Sequence, residues 1–385
     1  MSQHSIMRNS MTASSGRAAR QVKHPKLPSL EIEFSSREFL NHKSRLGDYL
    51  RRFGLEGDAA FRILAYHYAI SHMERSAGVP VSLREKWKLE YRKIENDERV
   101  IQFLNELVVN DPKGTALPEW YQFLVGRRFR EGSGKFFTPK PIAHVMAQLL
   151  PRIKNPIIMD PTAGGGTFLM EASTIWNDSG CTLIANEVEP SLIELAMLTL
   201  ELGTSPRHVK HYLCANIFDT PAELTAWHGR VDYILANPPF SLRIDNEQFD
   251  SRLFREGYRS SDALFIDTAL NLLRPGGRLI CLLPHSIIAN SEFAMLRSTV
   301  EELWNVLAII CLPEGVFQLN AGTTTRADIV VLEKRLASRD RANTRIVLAS
   351  VPSVGIRLNN LAKDTRENEL ETLLISDEVR KALGI

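Results

Sequence analysis

The sequence lacks long apolar runs and has hardly any excess of charge of either sign. No stretch of its 385 residues approaches the roughly 18–20 consecutive apolar residues that a membrane-spanning helix requires. Residues 1–30 are rich in Ser, Arg and Lys, contain no acidic residue, and lack the apolar segment of a secretory signal. We therefore expect a cytoplasmic protein without membrane attachment, in which residues 1–30 form a disordered basic arm.

Cysteines are few and scattered. Cys181, Cys214, Cys281 and Cys311 are isolated from one another, and none has the spacing of a metal-ligand pair. We expect buried thiols in a reducing compartment and no metal site. The net charge of +2 neither favours nor excludes a nucleic-acid partner, because local patches decide such binding.

Two patterns divide the chain. Apolar residues recur at helical spacing within 31–130, which predicts an N-terminal helical domain. Within 131–336, short β-rich runs alternate with helical segments, which predicts βαβ units around a mostly parallel sheet. The tail, 337–385, carries a strand candidate at 344–351 and a short helix near 370–383. The predicted strands of the central region are 157–160, 181–187, 210–216, 231–237, 278–284, 306–312 and 328–334.

The most informative stretch is the strand candidate that ends in Asn237-Pro238-Pro239-Phe240. Two successive prolines end a strand, because neither donates a backbone N–H and both have a fixed φ. An amide, rigid carbonyls and an aromatic ring then lie at the carboxyl edge of the sheet, where open α/β folds bind ligands. This set suits a planar heterocycle held by its amino group. A plain strand-ending turn is the alternative interpretation.

A Gly-rich turn follows the first predicted strand, in the run from Asp160 to Phe168. Glycines between a strand and a helix let the backbone approach a ligand closely. The turn lacks the Lys-Ser/Thr pair of a phosphate loop and departs from G-x-G-x-x-G. The carboxylate of Asp160 at the strand end is placed to receive a cation or hydrogen-bond donors.

Polar residues also end the next two predicted strands. Glu187 ends the second strand, where an acid usually accepts hydrogen bonds from ribose hydroxyls; a favourable charge at the next helix N-terminus is the alternative. Asn216 ends the third strand and could bond an adenine edge, with Phe218 packed on the ring or, equally, in the core.

Four motifs in one order resemble the N6-adenine DNA methyltransferases, in particular the modification subunits of type I restriction–modification systems. They are Gly134-Lys135-Phe136-Phe137-Thr138-Pro139, the Asp160–Phe168 turn, Asn186-Glu187 and Asn237-Pro238-Pro239-Phe240. The similarity spans residues 120–336. It implies a Rossmann-like S-adenosylmethionine-dependent methyltransferase fold: seven strands, mostly parallel, with an antiparallel edge strand.

The resemblance also implies a cofactor, a substrate and residue roles. Asn237 and the carbonyl of Pro238 would accept hydrogen bonds from adenine N6 and localise its lone pair for direct methyl transfer. The adenine would be flipped out of duplex DNA and stacked on Phe240. The implied catalytic residues are Asn237, Pro238, Pro239 and Phe240. S-adenosyl-L-methionine would be bound by Phe137, Thr138, Pro139, Asp160, Thr162, Gly164, Gly166, Glu187, Asn216 and Ile217.

The expected partner proteins are inferred from the lack of a recognisable target-recognition domain. Nothing beyond residue 336 is large enough for a target-recognition domain, so we expect a separate specificity subunit, with a restriction subunit as a possible third component. The polar loop 241–261 carries Arg243, Arg252, Arg255 and Arg259, which suit either a phosphate-binding lid or a solvated loop.

Two other functions stay open at this point. A protein glutamine-N5 methyltransferase also clamps a planar amide with Asn-Pro-Pro-aromatic, but the Gly134–Pro139 segment favours DNA methylation. A non-catalytic module that binds cofactor or DNA in a defence complex would not need an intact Asn237, Pro238 and Phe240.

Overall fold

The computed structural model describes residues 36–130, 137–219, 221–246, 249, 251–315, 326–336, 346–355 and 368–385, without the side chains of 36–42, 44 and 126–130. The predicted basic arm, 1–30, and the Gly134-Lys135-Phe136 part of the first motif lie outside these residues. None of the helices in the described ranges is long and apolar enough to cross a bilayer.

The N-terminal part consists of helices around their own core. Asp97 starts one of them by accepting hydrogen bonds from the N–H groups of Arg99 and Val100. Trp87, Trp120 and other large side chains are fully buried between the helices. The boundaries of the predicted domain, 31–130, stay a prediction. The helices are α1 (Ser36–Arg51), α2 (Asp58–Ser71), α3 (Val81–Tyr91), α4 (Glu98–Asn110) and α5 (Leu117–Arg130).

One eight-stranded sheet forms the centre of the remaining chain, with strand order β3-β2-β1-β4-β5-β7-β6-β8. All neighbouring pairs are parallel except those of β7, which runs antiparallel to both β5 and β6. The mostly parallel sheet is confirmed. Two details differ from the expected seven strands with an antiparallel edge strand. The sheet has eight strands, and its antiparallel strand, β7, lies between β5 and β6, with β8 next to β6 at the edge. The strands are β1 (Ile157–Asp160), β2 (Thr182–Asn186), β3 (Val209–Leu213), β4 (Val231–Ala236), β5 (Leu273–Pro284), β6 (Trp304–Cys311), β7 (Ala327–Lys334) and β8 (Val347–Ser350).

Helices cover both faces of this sheet. α6, α7 and the two C-terminal helices bury one face, and α10, α11 and α13 bury the other. The helices are α6 (Lys140–Gln148), α7 (Thr167–Ile175), α8 (Pro190–Gly203), α9 (Ala222–Thr225), α10 (Arg252–Arg255), α11 (Ser261–Leu272), α12 (His285–Ala289), α13 (Ala294–Leu303), α14 (Glu369–Ile375) and α15 (Asp377–Leu383).

Helix α8 joins the N-terminal helices to the sheet. Ile193, Ala196 and Leu200 pack into the core on the sheet, whereas Leu195 and Leu198 pack into the core of the N-terminal helices. A helix that is apolar on both sides is stable only when both are covered. The structure therefore places the N-terminal helices against the half of the sheet that α8 covers.

Two expectations need correction. The helix predicted near 370–383 is two helices, because Ser376 has an extended conformation with ψ of 121° that separates α14 from α15. Cys181 and Cys281 are buried, but Cys214 is exposed and Cys311 is partly exposed. Cys214 follows β3, which forms one edge of the sheet and pairs only with β2 among the described strands.

Candidate active site

A cavity of about 270 Å³ lies at the carboxyl ends of β1, β2, β3 and β4. Its wall brings together side chains and backbone from segments far apart in sequence. Most of the residues assigned to a site from the sequence lie on this wall: Phe137, Thr162, Gly164, Glu187, Asn216, Ile217, Asn237, Pro238 and Pro239.

Five assigned residues are not on the wall. Thr138 and Pro139 lead into α6, and Gly166 caps α7. Asp160 is fully buried beneath the turn, and Phe240 is 8% exposed within the core on the sheet. These residues can shape the site, but in this conformation they do not face the cavity.

The Gly-rich turn has the backbone geometry that only glycine adopts without strain. Gly164 and Gly166 have φ angles of 50° and 83°. A Cβ on Gly165 would lie 2.9 Å from Cε1 of Phe137 and 3.0 Å from Cβ of Pro118. The three glycines therefore let the turn pack directly under the Phe137 ring.

Glu187 holds the turn at a fixed distance from β2. Its Oε2 accepts a hydrogen bond from the Gly164 N–H at 3.0 Å, and its Oε1 accepts one from the Glu189 N–H at 3.1 Å. The side chain is 6% exposed and contributes to the cavity wall. It can accept further donors there, since each carboxylate oxygen has two lone pairs.

Asn186 is a contributor whose role the sequence did not reveal. Its side-chain Nδ2 donates to the carbonyls of Pro161 and Ala215, both at 2.9 Å, and its backbone carbonyl accepts from the Ala163 N–H at 2.8 Å. One fully buried amide thus ties together the ends of β1, β2 and β3. An asparagine at the end of an apolar strand was the sequence feature that could have indicated this role.

Asp160 carries a buried carboxylate with an unused acceptor. Its Oδ1 accepts from the Thr162 N–H at 3.0 Å, while its Oδ2 has no hydrogen-bond partner among the described residues. Burial, and secondarily the charge of Glu187, raise the pKa of Asp160 well above its usual range. A ligand that brings a cation or a donor close to this turn would stabilise the ionised form.

The end of β3 is shaped by a local turn. Asn216 Oδ1 accepts from the Phe218 N–H at 3.1 Å, the geometry of an Asx turn. Phe218 packs edge to face against Phe249, with ring centroids 5.5 Å apart, and also borders the cavity. Both alternatives for Phe218, core packing and contact with a ligand, are compatible with this position.

Apolar residues after β4 extend the wall beyond Pro239. Leu242 and Ile244 face the cavity from the loop that the sequence marks as polar. Arginines of that loop bond to the protein: Arg243 pairs with Asp245, and Arg252 pairs with Glu256 and Glu302. Arg259 donates to the carbonyls of Phe254 and Tyr258. These contacts favour a solvated loop over a lid whose arginines bind phosphate.

One group of potential metal ligands lies in the described ranges, at the ends of β5, β6 and β7. The ligand atoms of His285, Cys311 and Asp328 lie within 4.8 Å of one another. His285 Nδ1 and Asp328 Oδ2 are hydrogen-bonded at 2.8 Å, and Asp328 is fully buried. The sequence alone suggests that His285 is a hydrogen-bonded residue at the sheet edge, not a catalyst, and the bond to Asp328 agrees with that interpretation.

Similarity to solved structures agrees with the architecture. A type I restriction–modification system methyltransferase subunit from Streptococcus thermophilus superimposes with a TM-score of 0.59 at 18% identity, over 90% of this chain and 84% of that chain. A Listeria monocytogenes protein described as a class I S-adenosylmethionine-dependent methyltransferase gives 0.57 at 18% identity, over 90% and 98%. At these identities the likeness shows a shared fold.

Sequence similarity identifies the family. The type I restriction enzyme MjaVII methylase subunit of Methanocaldococcus jannaschii is 25% identical over 293 residues, which cover 69% of this chain and 49% of that subunit. The chain thus spans about half of that relative's length. The family described as N-6 DNA methylase matches residues 115–379, a range that contains the whole cavity wall. The chain belongs to the N-6 DNA methylase family.

Proposed function

We propose that the chain transfers a methyl group from S-adenosyl-L-methionine to N6 of adenine in DNA. The observation that carries this proposal is the position of Asn237, Pro238 and Pro239 on the same cavity wall as Glu187 and the Gly-rich turn. A clamp for an amino group and a site suited to a nucleoside thus share one opening.

The described residues fit a bound S-adenosylmethionine, which when present supplies an electrophilic methyl group. Glu187 presents carboxylate oxygens to the cavity for ribose hydroxyls. Phe137, Ile217 and Phe218 offer apolar surface to an adenine ring. The carboxylate of Asp160 and the hydroxyl of Thr162 suit the ammonium end of the cofactor. Because Asp160 lies behind the wall, its carboxylate must become accessible when the cofactor binds.

Asn237 and Pro238 are assigned to the acceptor amine. The N6 lone pair of adenine is delocalised into the ring, so the nitrogen is a weak nucleophile. Acceptance of its two N–H bonds by Asn237 Oδ1 and the Pro238 carbonyl would favour a tetrahedral nitrogen with a localised lone pair. Pro239 prevents the backbone from relaxing, because its φ is fixed. In the transfer, the N6–C bond would form as the C–S bond of the sulfonium breaks, S-adenosylhomocysteine would leave, and N6 would release one proton to solvent. Catalysis by the protein then consists of positioning and electrostatics.

Phe240 keeps its assignment as the residue that stacks on the flipped adenine, with one added requirement. Because the side chain is 8% exposed and absent from the wall, its ring face must become accessible when DNA binds. Flipping is needed because a base that stays stacked inside the duplex cannot reach the cavity.

We assign duplex DNA as substrate and a separate specificity subunit as partner. The M. jannaschii relative is named a methylase subunit of a type I restriction enzyme, and the S. thermophilus neighbour is named a subunit of such a system. Membership of a restriction complex would leave the choice of target sequence to another polypeptide. We also infer a cytoplasmic location, where the DNA is.

The decisive test is product identification. The full chain is incubated with S-adenosylmethionine labelled in its methyl group and with unmethylated genomic DNA, and the nucleosides are separated by liquid chromatography and mass spectrometry. Labelled N6-methyladenine is expected, at a low rate for the isolated chain and at a much higher rate once its native partner is added. Efficient methylation at one sequence by the isolated chain would contradict the need for a specificity subunit.

The same labelling, run also with a protein extract added and followed by amino-acid analysis, separates the alternatives. Label in N5-methylglutamine of a protein, and none in DNA, would indicate a protein methyltransferase. Binding of S-adenosylmethionine and DNA without any transferred label would indicate a non-catalytic module. Label in cytosine would contradict adenine as the target.

A further inference from the structure

The chain makes a sharp turn directly after the Asn-Pro-Pro-Phe run. Ser241 has a φ of 54°, in the left-handed region that residues other than glycine seldom adopt. Such a conformation persists when the surrounding structure holds it, and it is common where function requires a fixed backbone. The contacts that hold it are therefore informative.

Ser261, the first residue of α11, bonds to both sides of this turn. Its hydroxyl donates to the Pro239 carbonyl at 2.6 Å and accepts from the Leu242 N–H at 3.1 Å. Its own N–H donates to the Leu242 carbonyl at 2.8 Å. Ser261 has no exposed surface, so water cannot replace these bonds.

Asp262 holds the strained residue itself. Its Oδ2 accepts from the Ser241 N–H at 2.9 Å, and the side chain is 2% exposed. Neither Asp262 nor Ser261 lies on the cavity wall, so contact with a ligand does not explain their burial. Helix α11, which carries both, is anchored through its apolar residues in the core on its face of the sheet.

We infer that Ser261 and Asp262 are positioning residues for methyl transfer. They fix residues 239–242 on a rigid helix and thereby set the direction of the Pro238 carbonyl and the Asn237 amide. This inference rests on the proposed function, because it gives these residues a role in the geometry of the acceptor site. Hydrogen bonds that fix a backbone within a fraction of an ångström can control the rate of the chemical step.

Kinetics of the enzyme purified with its native partners test the inference. Ser261→Ala and Asp262→Ala should each lower kcat by about 100-fold, since a small misplacement of reacting groups has an effect of that order. The KM for S-adenosylmethionine should stay at its wild-type value. Asp262→Asn, which keeps an acceptor oxygen in place, should restore most of the kcat lost in Asp262→Ala.

Ser260→Ala is the matched control for a general loss of stability. The Ser260 hydroxyl accepts from the Ala263 N–H at 3.3 Å as the cap of α11, and within the described part of the chain its side chain makes no hydrogen bond to 239–242. This variant should unfold at a lower temperature and keep the wild-type kcat. Hydrogen exchange should show faster exchange of the Ser241 and Leu242 amides in Asp262→Ala and Ser261→Ala, respectively, and no change there in Ser260→Ala.

The outcomes separate two failures. An active wild-type enzyme with unchanged kcat in Ser261→Ala and Asp262→Ala overturns the positioning role and leaves the proposed function in place. An equal loss of kcat in Ser260→Ala also overturns the positioning role, because the loss of activity would then result from lower stability of α11. A wild-type enzyme that transfers no methyl group to adenine overturns the proposed function and the inference together.

Discussion

The two halves of the cavity are held in place by different parts of the molecule. At the ends of β1, β2 and β3, strand ends are bonded to each other through Asn186 and Glu187. At the end of β4, the chain is bonded to the first turn of α11 through Ser261 and Asp262. The first half is held by hydrogen bonds among the strand ends themselves. The second half is held by helix α11, which begins more than 20 residues after the end of β4.

This difference leads to separate expectations for binding and for chemistry. Changes at β1–β3 should alter the affinity for S-adenosylmethionine and leave the rate at saturation largely intact. Changes at β4 should alter the rate and leave the affinity intact. Three experiments test that division.

Substitution of the β4 half should give the largest effect. Asn237→Ala removes the proposed side-chain acceptor for the target amine and should lower kcat by about 1000-fold, the scale of losing one preorganised hydrogen bond to a reacting centre. Single-turnover methyl transfer measures the rate, and calorimetry should give a wild-type Kd for S-adenosylmethionine. Activity near the wild-type level would remove Asn237 from the mechanism.

Substitution of the β2 end should give the opposite pattern. Glu187→Ala removes hydrogen bonds to a charged acceptor, which corresponds to a Kd for S-adenosylmethionine weaker by about 10–100-fold. The kcat at saturating cofactor should change much less. Glu187→Gln keeps an acceptor oxygen and serves as the milder control. An unchanged Kd in Glu187→Ala, measured by calorimetry, would rule out the ribose assignment.

The pH dependence of cofactor binding should give the smallest effect. Burial raises the pKa of Asp160, so the free chain holds a proton there at pH values where an exposed carboxyl would be ionised. A cationic ligand favours the ionised form, so binding should release a proton and tighten as pH rises, by at most about tenfold per pH unit below that pKa. Calorimetry in buffers of different ionisation enthalpy measures the released proton.

Asp160→Asn provides the control for that titration. It cannot release a proton, so its affinity should be lower and should depend less on pH. A wild-type affinity that does not vary with pH would show that Asp160 does not face a cation in the complex.

Much of the fold was predictable because it follows from local pattern. Apolar runs of four to eight residues alternating with helical segments indicated a mostly parallel sheet, and the structure has one. The separation of α14 from α15 was not predictable, because both have helical patterns and the break depends on the conformation of Ser376. The exposure of Cys214 depends on β3 being the edge strand, which no local pattern reveals.

The cavity wall was predictable where strand ends carry distinctive residues. Glu187, Asn216 and Asn237 each follow an apolar strand, and they meet on one wall because parallel strands end at one edge of the sheet. The apolar contributions of Leu242 and Ile244 were missed, since they lie in a segment of polar composition. Asn186 was visible as part of a motif, but its bonds to Pro161 and Ala215 follow from packing.

The amino-acid sequence by itself determined the family, the parallel sheet and the chemical groups that end its strands, because these depend on local composition and order. Only the tertiary structure decided which of those groups face the cavity, that Phe240 and Asp160 lie behind its wall, and that α11 holds the β4 turn. The physical reason is that burial and hydrogen bonding are set by neighbours far away along the chain. Ser261 belongs to no recognisable sequence motif, and its proposed role follows only from its hydrogen bond to the Pro239 carbonyl.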